Sequence, residues 1–446
     1  MERQYDVLVV GSGSAGQSAA SLLVRAGLKV AMADSRPFGG TCAQRGCVPK
    51  KVLFSAAEAV MRARALMGQG VAGRAGLDWP RLMAFKRGFT QPVPEATRRE
   101  LADAGIDAYP GRARFSGPQT VRLGETTIAA RHILLANGSR PAPLNIPGEE
   151  HLSTSDAFLE LDELPDELVF VGGGYISCEL SHVAAVAGAS VRILHQGERI
   201  LEHYDPGLVA QLVAASEELG IKVHTNSPVA AIERRPSGRL VVRTEGGQSF
   251  ECALAVHGAG RVADIADLDC EAAGVETSPH GVVVNDYLQS VSNPAVYAAG
   301  DAASSGLQLT PVAVAQGRVA AHNIVSGNER RFEPGAVPST VFTQPPLAMV
   351  GLTEEEAARQ GLDVTVNRQD MSGWQTTRRV GLRHAGGVTL TDRATGRLVG
   401  AHLLGHHAEE VINLLALAMN AGLSAGRLKQ MLWVFPTSAH DVRYLL

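Results

Sequence analysis

"YDVLVVGSGSAGQSAASLLVRAGLKVAMAD", residues 5–34, decides the fold. Residues 5–10 are a short apolar run rich in β-branched side chains and bounded by glycine, the pattern of a buried strand. Residues 17–27 have helical composition and end on a glycine, and residues 29–34 form a second apolar run. Strand, helix and strand in that order make a βαβ unit, the start of a doubly wound parallel sheet. Gly11, Gly13 and Gly16 sit at the turn between the first strand and the helix. Glycines there let the backbone approach a pyrophosphate, which the free N–H groups of the helix N-terminus then meet. Asp34 ends the second strand, where a carboxylate accepts hydrogen bonds from a ribose diol.

A second unit of the same kind starts at "ELVFVGGGYISCELSHVAAVAGASVRIL", residues 167–194. Its turn holds Gly172 and Gly174, with Ser177 small enough for the third position. The second strand of this unit does not end on a carboxylate. His195, Gln196 and Arg199 follow it, and His or Arg accommodates a 2′-phosphate, which points to NADP(H) ahead of NAD(H). Two such turns imply two dinucleotides, one held permanently and one visiting. "AVYAAGD" (295–301) returns as a strand and "TPVAVAQGRVAAHNIV" (310–325) as a helix, and "FEPGAVPST" (332–340) is a junction to a third region of strands and helices.

Bulk properties narrow the classes. Across 446 residues, 45% are hydrophobic and 19% charged, which reads as a globular α/β chain. The formal net charge of -4 gives no basic bias toward nucleic acid or an anionic membrane. No apolar run is long enough to span a bilayer, and the chain enters a strand at once without a secretory leader, so a cytoplasmic location is expected. Five cysteines do not make a disulfide scaffold, and Cys178, Cys252 and Cys270 read as small buried hydrophobes. Cys42 and Cys47 differ, because "GGTCAQRGCVPKK" (39–51) lets them close a short disulfide loop. In a cytoplasmic nucleotide-binding protein such a loop is redox-active rather than structural. "GHHAEE" (405–410) reads as a polar helix start, and no metal site is expected.

That cysteine segment, both glycine turns, "LLANGSRP" (134–141), "GAGR" (258–261), "AAGD" (298–301) and "LTPVAVAQGR" (309–318) together resemble the class I flavoprotein disulfide reductases. Glutathione reductase, dihydrolipoamide dehydrogenase and mercuric reductase belong to that group. The resemblance implies an α/β fold of two doubly wound Rossmann-like nucleotide-binding domains plus a C-terminal α+β interface domain, assembled as a homodimer. Residues 1–150 and 269–334 would form the FAD-binding domain, 151–268 the NAD(P)H-binding domain and 335–446 the interface domain. FAD would lie on the first turn, with Asp34 at the adenosine ribose and Asp301 near the ribityl–phosphate part, and NADP(H) on the second. Thr41, Gly138 and Arg261 fall inside the matched motifs and count with the cofactor-binding residues. Cys47 becomes the flavin-proximal sulfur and Cys42 the interchange thiol that meets substrate. Lys50 and Glu179 are expected to pair beside the flavin, with Tyr175 gating the nicotinamide. A cation three residues after Cys47 also favours a thiolate on elementary grounds.

The substrate is where the chain departs from the common pattern. Glutathione-reducing members carry arginines on the first helix, and the matching positions here are Ser21 and Leu22. They also use tyrosines near "TQPVPEATRREL", which has none; residues 90–105 begin with a proline pair and continue as a helix, which Pro92 and Pro94 are expected to disturb. The cysteine pair that ends mercuric reductases is missing. Most members end in a His-Pro-Thr segment with an acid five residues after the histidine, and this segment crosses the dimer to serve the partner's disulfide. In "WVFPTSAHDVRYLL" (433–446), Phe435 takes the histidine's place and His440 the acid's. A phenyl ring moves no proton and dries the site. The replacement resembles 2-ketopropyl coenzyme M oxidoreductase/carboxylase, which cleaves a thioether with its reduced cysteines. The expected activity is therefore FAD- and NADPH-dependent cleavage of a small sulfur substrate without proton delivery. The alternatives are a conventional reductase of a low-molecular-weight disulfide and a low-turnover flavin redox sensor.

Overall fold

A computed structural model describes residues 2–446. The chain divides into two compact units, one of residues 1–49, 85–142 and 260–334, the other of residues 50–84, 143–259 and 335–446.

The first unit is built on a parallel sheet. Glu2–Val10 pairs with Val30–Asp34 on one side and Thr126–Leu135 on the other, Asp107–Pro110 extends the first edge and Val296–Ala298 pairs with Thr126–Leu135. A hairpin of Ala113–Gly117 and Thr120–Leu123 adds antiparallel strands. Val7, Leu8 and Val9 are all fully buried, as a central parallel strand covered on both faces requires. Helices Ser14–Arg25 and Thr310–Ser326 share one core with Val7, Val9, Met32 and Leu134. They cross closely because position 317 is glycine, since a Cβ there would lie 2.3 Å from the Ala15 carbonyl oxygen. Helix Val93–Asp103 begins at the proline pair, with Pro92 as its cap and Pro94 in its first turn. The prolines thus start the helix instead of breaking it, because the first-turn N–H groups have no intrahelical partner to lose.

The second unit carries a parallel sheet ordered Ile221–His224, Ser190–Leu194, Glu167–Val171, Leu254–His257. Helix Tyr175–Val186 covers it, and Phe158, Phe170, Leu180 and Phe54 form its core. A five-stranded antiparallel sheet follows, from Ser339–Val341 through Leu347–Gly351, Leu398–Leu404 and Gly386–Asp392 to Val364–Asp370. Helix Ala408–Asn420 packs Val411, Ile412 and Leu415 onto it. The "GHHAEE" stretch is that helix's start, with His407 as cap and Glu409 and Glu410 in the first turn. This unit also exposes apolar side chains, among them Leu417, Val434 and Leu432, which is 100% exposed. No described helix is long and apolar enough to cross a membrane.

Helix Tyr175–Val186 buries a histidine. His182 Nδ1 lies 2.7 Å from the Cys178 carbonyl oxygen, which makes it the donor, and Nε2 has no hydrogen-bond partner among the described residues. Burial pushes this imidazole down from its ordinary 6.5 to about 4, against the pull of its backbone hydrogen bond. Between those values the unfolded chain binds a proton that the native one refuses, so stability is full above 6.5 and falls with the pH toward 4. His182→Leu is expected to make the decline of the thermal unfolding midpoint across that window shallower, and differential scanning fluorimetry at stepped pH checks it.

Candidate active site

Two glycines of the first turn have no room for a side chain. Gly11 has φ +108, and a Cβ there would lie 2.2 Å from the Ala136 carbonyl oxygen. A Cβ at Gly16 would lie 1.9 Å from the Gly11 carbonyl oxygen. Gly13 caps helix Ser14–Arg25 with extended backbone and no side-chain cap, leaving the helix N-terminus open to an anion. Asp34 Oδ2 accepts from the Ser12 N–H (2.8 Å) and hydroxyl (2.6 Å), and Oδ1 accepts from the Arg36 N–H (2.9 Å). Asp301 Oδ2 accepts from the Ser139 hydroxyl (2.7 Å), and Arg261 donates to that hydroxyl (3.0 Å) and to the Ser139 carbonyl (2.6 Å). Gly138, at φ +74, turns the chain just before Ser139. These residues fit a dinucleotide, because the cradle is one that a Cβ would fill.

Cys42 and Cys47 stand beside this turn in the same unit. Gly40, φ +74, presses on Gly13, and a Cβ there would lie 2.3 Å from Gly13 Cα. Helix Gly40–Arg45 then carries exposed Thr41 and half-buried Cys42, and exposed Cys47 opens helix Cys47–Ala65. Buried Gln44 fastens the segment through Nε2, donating to the carbonyls of Pro37 (3.0 Å), Phe38 (2.9 Å) and Gly40 (3.3 Å). Cys47 Sγ lies 3.4 Å from the Thr310 hydroxyl, at the first residue of helix Thr310–Ser326. The Cys42 thiol is pushed up from its ordinary value, first by its hydrogen bond with Cys47 and then by burial, with Thr310 pulling the other way. Cys42 therefore holds its proton more tightly than an ordinary thiol.

In the second unit, Lys50 Nζ meets both oxygens of Glu179, at 2.9 and 2.8 Å. Glu179 is 1% exposed and also accepts from the Phe342 N–H at 2.9 Å. Lys50 and Lys51 both lie over the Phe342 ring, at 4.5 and 4.2 Å from its centroid. A buried pair satisfied this way is costly to break, by about 3–5 kcal/mol when one partner is removed.

The second glycine turn repeats the logic of the first. Gly172 has φ +103, and its Cβ would lie 2.5 Å from Ala259 Cα. Gly174 caps helix Tyr175–Val186. Ser177 fills the third position as expected, fully buried against Gly258, and Tyr175 is half-exposed at the helix start. This turn fits a second dinucleotide. The expectation of a 2′-phosphate site rested on the lack of a nearby carboxylate, and here the structure differs. A loop returns Glu202 to His195, with Nε2 and Oε1 3.1 Å apart, and Arg199 donates to the Glu202 carbonyl at 2.8 Å. The acid arrives from seven residues beyond His195, too far for a strand-end pattern to reveal it.

In the tail, Phe435 is 72% exposed and meets the His440 ring edge-on, with centroids 5.0 Å apart. His440 also meets Tyr444, at 5.8 Å. Its Nδ1 has no hydrogen-bond partner among the described residues, and Asp441 Oδ1 lies 3.9 Å away, beyond hydrogen-bond range. Asp441 itself is bonded by the Thr376 hydroxyl. Sequence reading placed neither Tyr444 nor Asp441 at the dyad, nor Thr310 at Cys47, nor Ser139 between Asp301 and Arg261.

Residues 5–317 match the family described as pyridine nucleotide-disulphide oxidoreductase, and residues 337–445 match its dimerisation domain. A glutathione reductase of Burkholderia cepacia is 32% identical across 98% of this chain and 97% of its own length. A mercuric reductase of Lysinibacillus sphaericus is 31% identical across 99% of this chain and 82% of its own. Among solved structures, the Cu(II) complex of the HOCl-induced flavoprotein disulfide reductase RclA from Escherichia coli superposes with a TM-score of 0.89 at 26% identity, covering 99% of both chains. The chain belongs to the pyridine nucleotide-disulphide oxidoreductases, which act on disulfides or related sulfur groups and whose membership implies FAD and NAD(P)H.

Cys47→Ala removes the largest cause of the upward shift at Cys42. In the reduced protein, the pH profile for alkylation of Cys42 by iodoacetamide is expected to move to lower pH in that variant. Mass spectrometry of the labelled peptide reads the change.

Proposed function

We propose that this protein is a cytoplasmic, FAD- and NAD(P)H-dependent oxidoreductase that reductively cleaves a thioether or related small sulfur substrate and delivers no proton to the departing carbon. The observation that carries the reading is Phe435, a side chain without a transferable proton, in ring contact with His440 where the family pattern has an acid–base dyad. FAD, when bound, relays two electrons from the reduced dinucleotide to the Cys42–Cys47 disulfide. Gly11, Gly13, Gly16, Asp34, Thr41, Gly138, Arg261 and Asp301 would hold it, within a domain of residues 1–150 and 269–334. Residues 151–268 would hold the nicotinamide dinucleotide, with Tyr175 gating and Lys50 and Glu179 holding a positive charge in place. Of the residues on which the expectation of NADP(H) rests, His195 meets the Glu202 carboxylate and Arg199 only its backbone carbonyl, so the reading specifies a reduced dinucleotide and not its 2′-phosphate.

The dithiol chemistry follows from the shared proton. Cys42 attacks the substrate sulfur as its proton passes to Cys47. The sulfur–carbon bond breaks, its electron pair leaves with carbon, and a mixed disulfide forms on Cys42. Cys47 then attacks the Cys42 sulfur, its proton leaves with the released thiol, and the Cys42–Cys47 disulfide closes. One thioether thus becomes one thiol and one carbanion at the expense of one singly deprotonated dithiol, with Cys47 as the starting thiolate. Phe435 and His440 would reach the partner's Cys42 in a homodimer formed through residues 335–446, and the exposed apolar side chains of this region support such pairing. Phe435 keeps that site dry, so the carbanion survives to meet an electrophile other than a proton.

A second reading, a conventional reductase of a low-molecular-weight disulfide, is favoured by the likeness to glutathione reductase over nearly the whole chain. Dinucleotide oxidation separates the two. The wild type is expected to consume NAD(P)H with a β-keto thioether and to turn over glutathione disulfide slowly. Phe435→His combined with His440→Glu is expected to raise disulfide turnover by about 10²-fold or more, the scale of general acid–base catalysis. Rapid turnover of glutathione disulfide by the wild type would sink the first reading in favour of the second.

A further inference from the structure

The loop after strand Ser190–Leu194 folds back on the second glycine turn and carries an acid with it. The Leu201 N–H donates to the Gly173 carbonyl at 3.0 Å. In return, the Gly173 N–H donates to His195 Nδ1 at 3.1 Å. That bond fixes the tautomer: Nδ1 accepts, so the ring proton sits on Nε2 and points at Glu202 Oε1, 3.1 Å away. The same carboxylate packs on Gly197, where a Cβ would lie 2.4 Å from Oε1. Glu202 is therefore held by His195 and by the turn, while its side chain stays 58% exposed. Of the two cation candidates beside it, His195 has both nitrogens engaged. Arg199 directs Nη2 to the Glu202 carbonyl at 2.8 Å. Glu198, also exposed, adds a second acid to the loop.

From this geometry we infer that Glu202 selects NAD(H) over NADP(H), a conclusion that rests on reading the second turn as the nicotinamide dinucleotide site. An adenosine ribose with both hydroxyls free offers two donors, and a fixed exposed carboxylate accepts them. A 2′-phosphate brings up to two negative charges to the same carboxylate, and the charged group beside it, Arg199, is half-buried with Nη2 turned onto the Glu202 carbonyl. Rejection by like charge is the kind of specificity device that needs no extra affinity for the preferred ligand. His195 acts here as a positioning residue. It aims the acid, and its place right after the strand is what brings an acid from seven residues onward to the nucleotide's edge.

Equilibrium binding tests this apart from turnover. Titration calorimetry of the oxidised holoprotein with NAD⁺ and with NADP⁺ is expected to show NAD⁺ bound tighter by at least about tenfold, the scale expected when like charges are juxtaposed. Anaerobic bleaching of the bound flavin is expected to be faster with NADH than with NADPH in the same sense. Glu202→Gln, a change at an exposed carboxylate, is expected to shrink the ratio mainly by tightening NADP⁺, and Glu202→Arg to invert it. Equal or tighter binding of NADP⁺ by the wild type overturns the inference and leaves the proposed function standing. A ratio unchanged in Glu202→Gln also overturns it. Failure of both dinucleotides to bind or to bleach the flavin overturns it together with the proposed function.

Discussion

The contact on which the first unit depends is the one between Gly40 and Gly13. Their backbones meet so closely that a single Cβ on Gly40 would come within 2.3 Å of Gly13 Cα. The dinucleotide turn and the start of the dithiol segment are thereby one object. Because Gly40 takes a positive φ, the chain can leave that contact directly into the helix carrying Cys42. Gln44 locks the exit by sharing its two amide N–H donors among three carbonyls, so the sulfur's position follows from backbone geometry and not from a flexible side chain. A redox relay needs this kind of fixed separation, since a misplacement of about 1 Å can cost about 10²-fold in rate.

The second unit uses buried charge in an opposite way at its two functional ends. At Lys50 the cation has a full set of partners: two carboxylate oxygens, and a ring face beneath it. Glu179 spends its remaining capacity on the Phe342 N–H, which ties the pair to the segment just after strand Ser339–Val341. At the tail, His440 has aromatic edges on two sides and an acid just out of hydrogen-bond range. The first arrangement holds a charge permanently. The second leaves an imidazole nitrogen uncommitted beside a side chain that cannot relay its proton.

How much of this was legible in the sequence depends on the range of the interactions. Both glycine turns were readable because they are local: glycine spacing, a preceding apolar strand and a following helix lie within one short segment. Ser177 was readable for the same reason, as the close approach of Gly258 requires only a small side chain. The Lys50–Glu179 pair came from family resemblance and could not have come from spacing, because the two are far apart along the chain. Thr310 at Cys47 and Ser139 between Arg261 and Asp301 were invisible for a related reason. Each is a hydroxyl brought in by a distant element, and serines and threonines carry no pattern that marks them. The proline pair was readable as the start of a helix, and only the expected disturbance fails, because proline's effect depends on its position and the first turn tolerates it.

Glu202 shows why the acid of one turn could be read and that of the other could not. Asp34 ends its strand and is consumed locally, by Ser12 and by the Arg36 N–H, so its place in sequence and its place in space coincide. Glu202 reaches the equivalent end of its own unit only because the loop doubles back and His195 catches it. The two turns thus obtain an acid by different routes, one through strand register and one through a histidine relay. A carboxylate held through an imidazole depends on a bond that a strand-end aspartate does not need. The Gly173 N–H must keep His195 Nδ1 as an acceptor for the ring to direct its N–H at Glu202, so the backbone of the glycine turn itself sets where that acid stands.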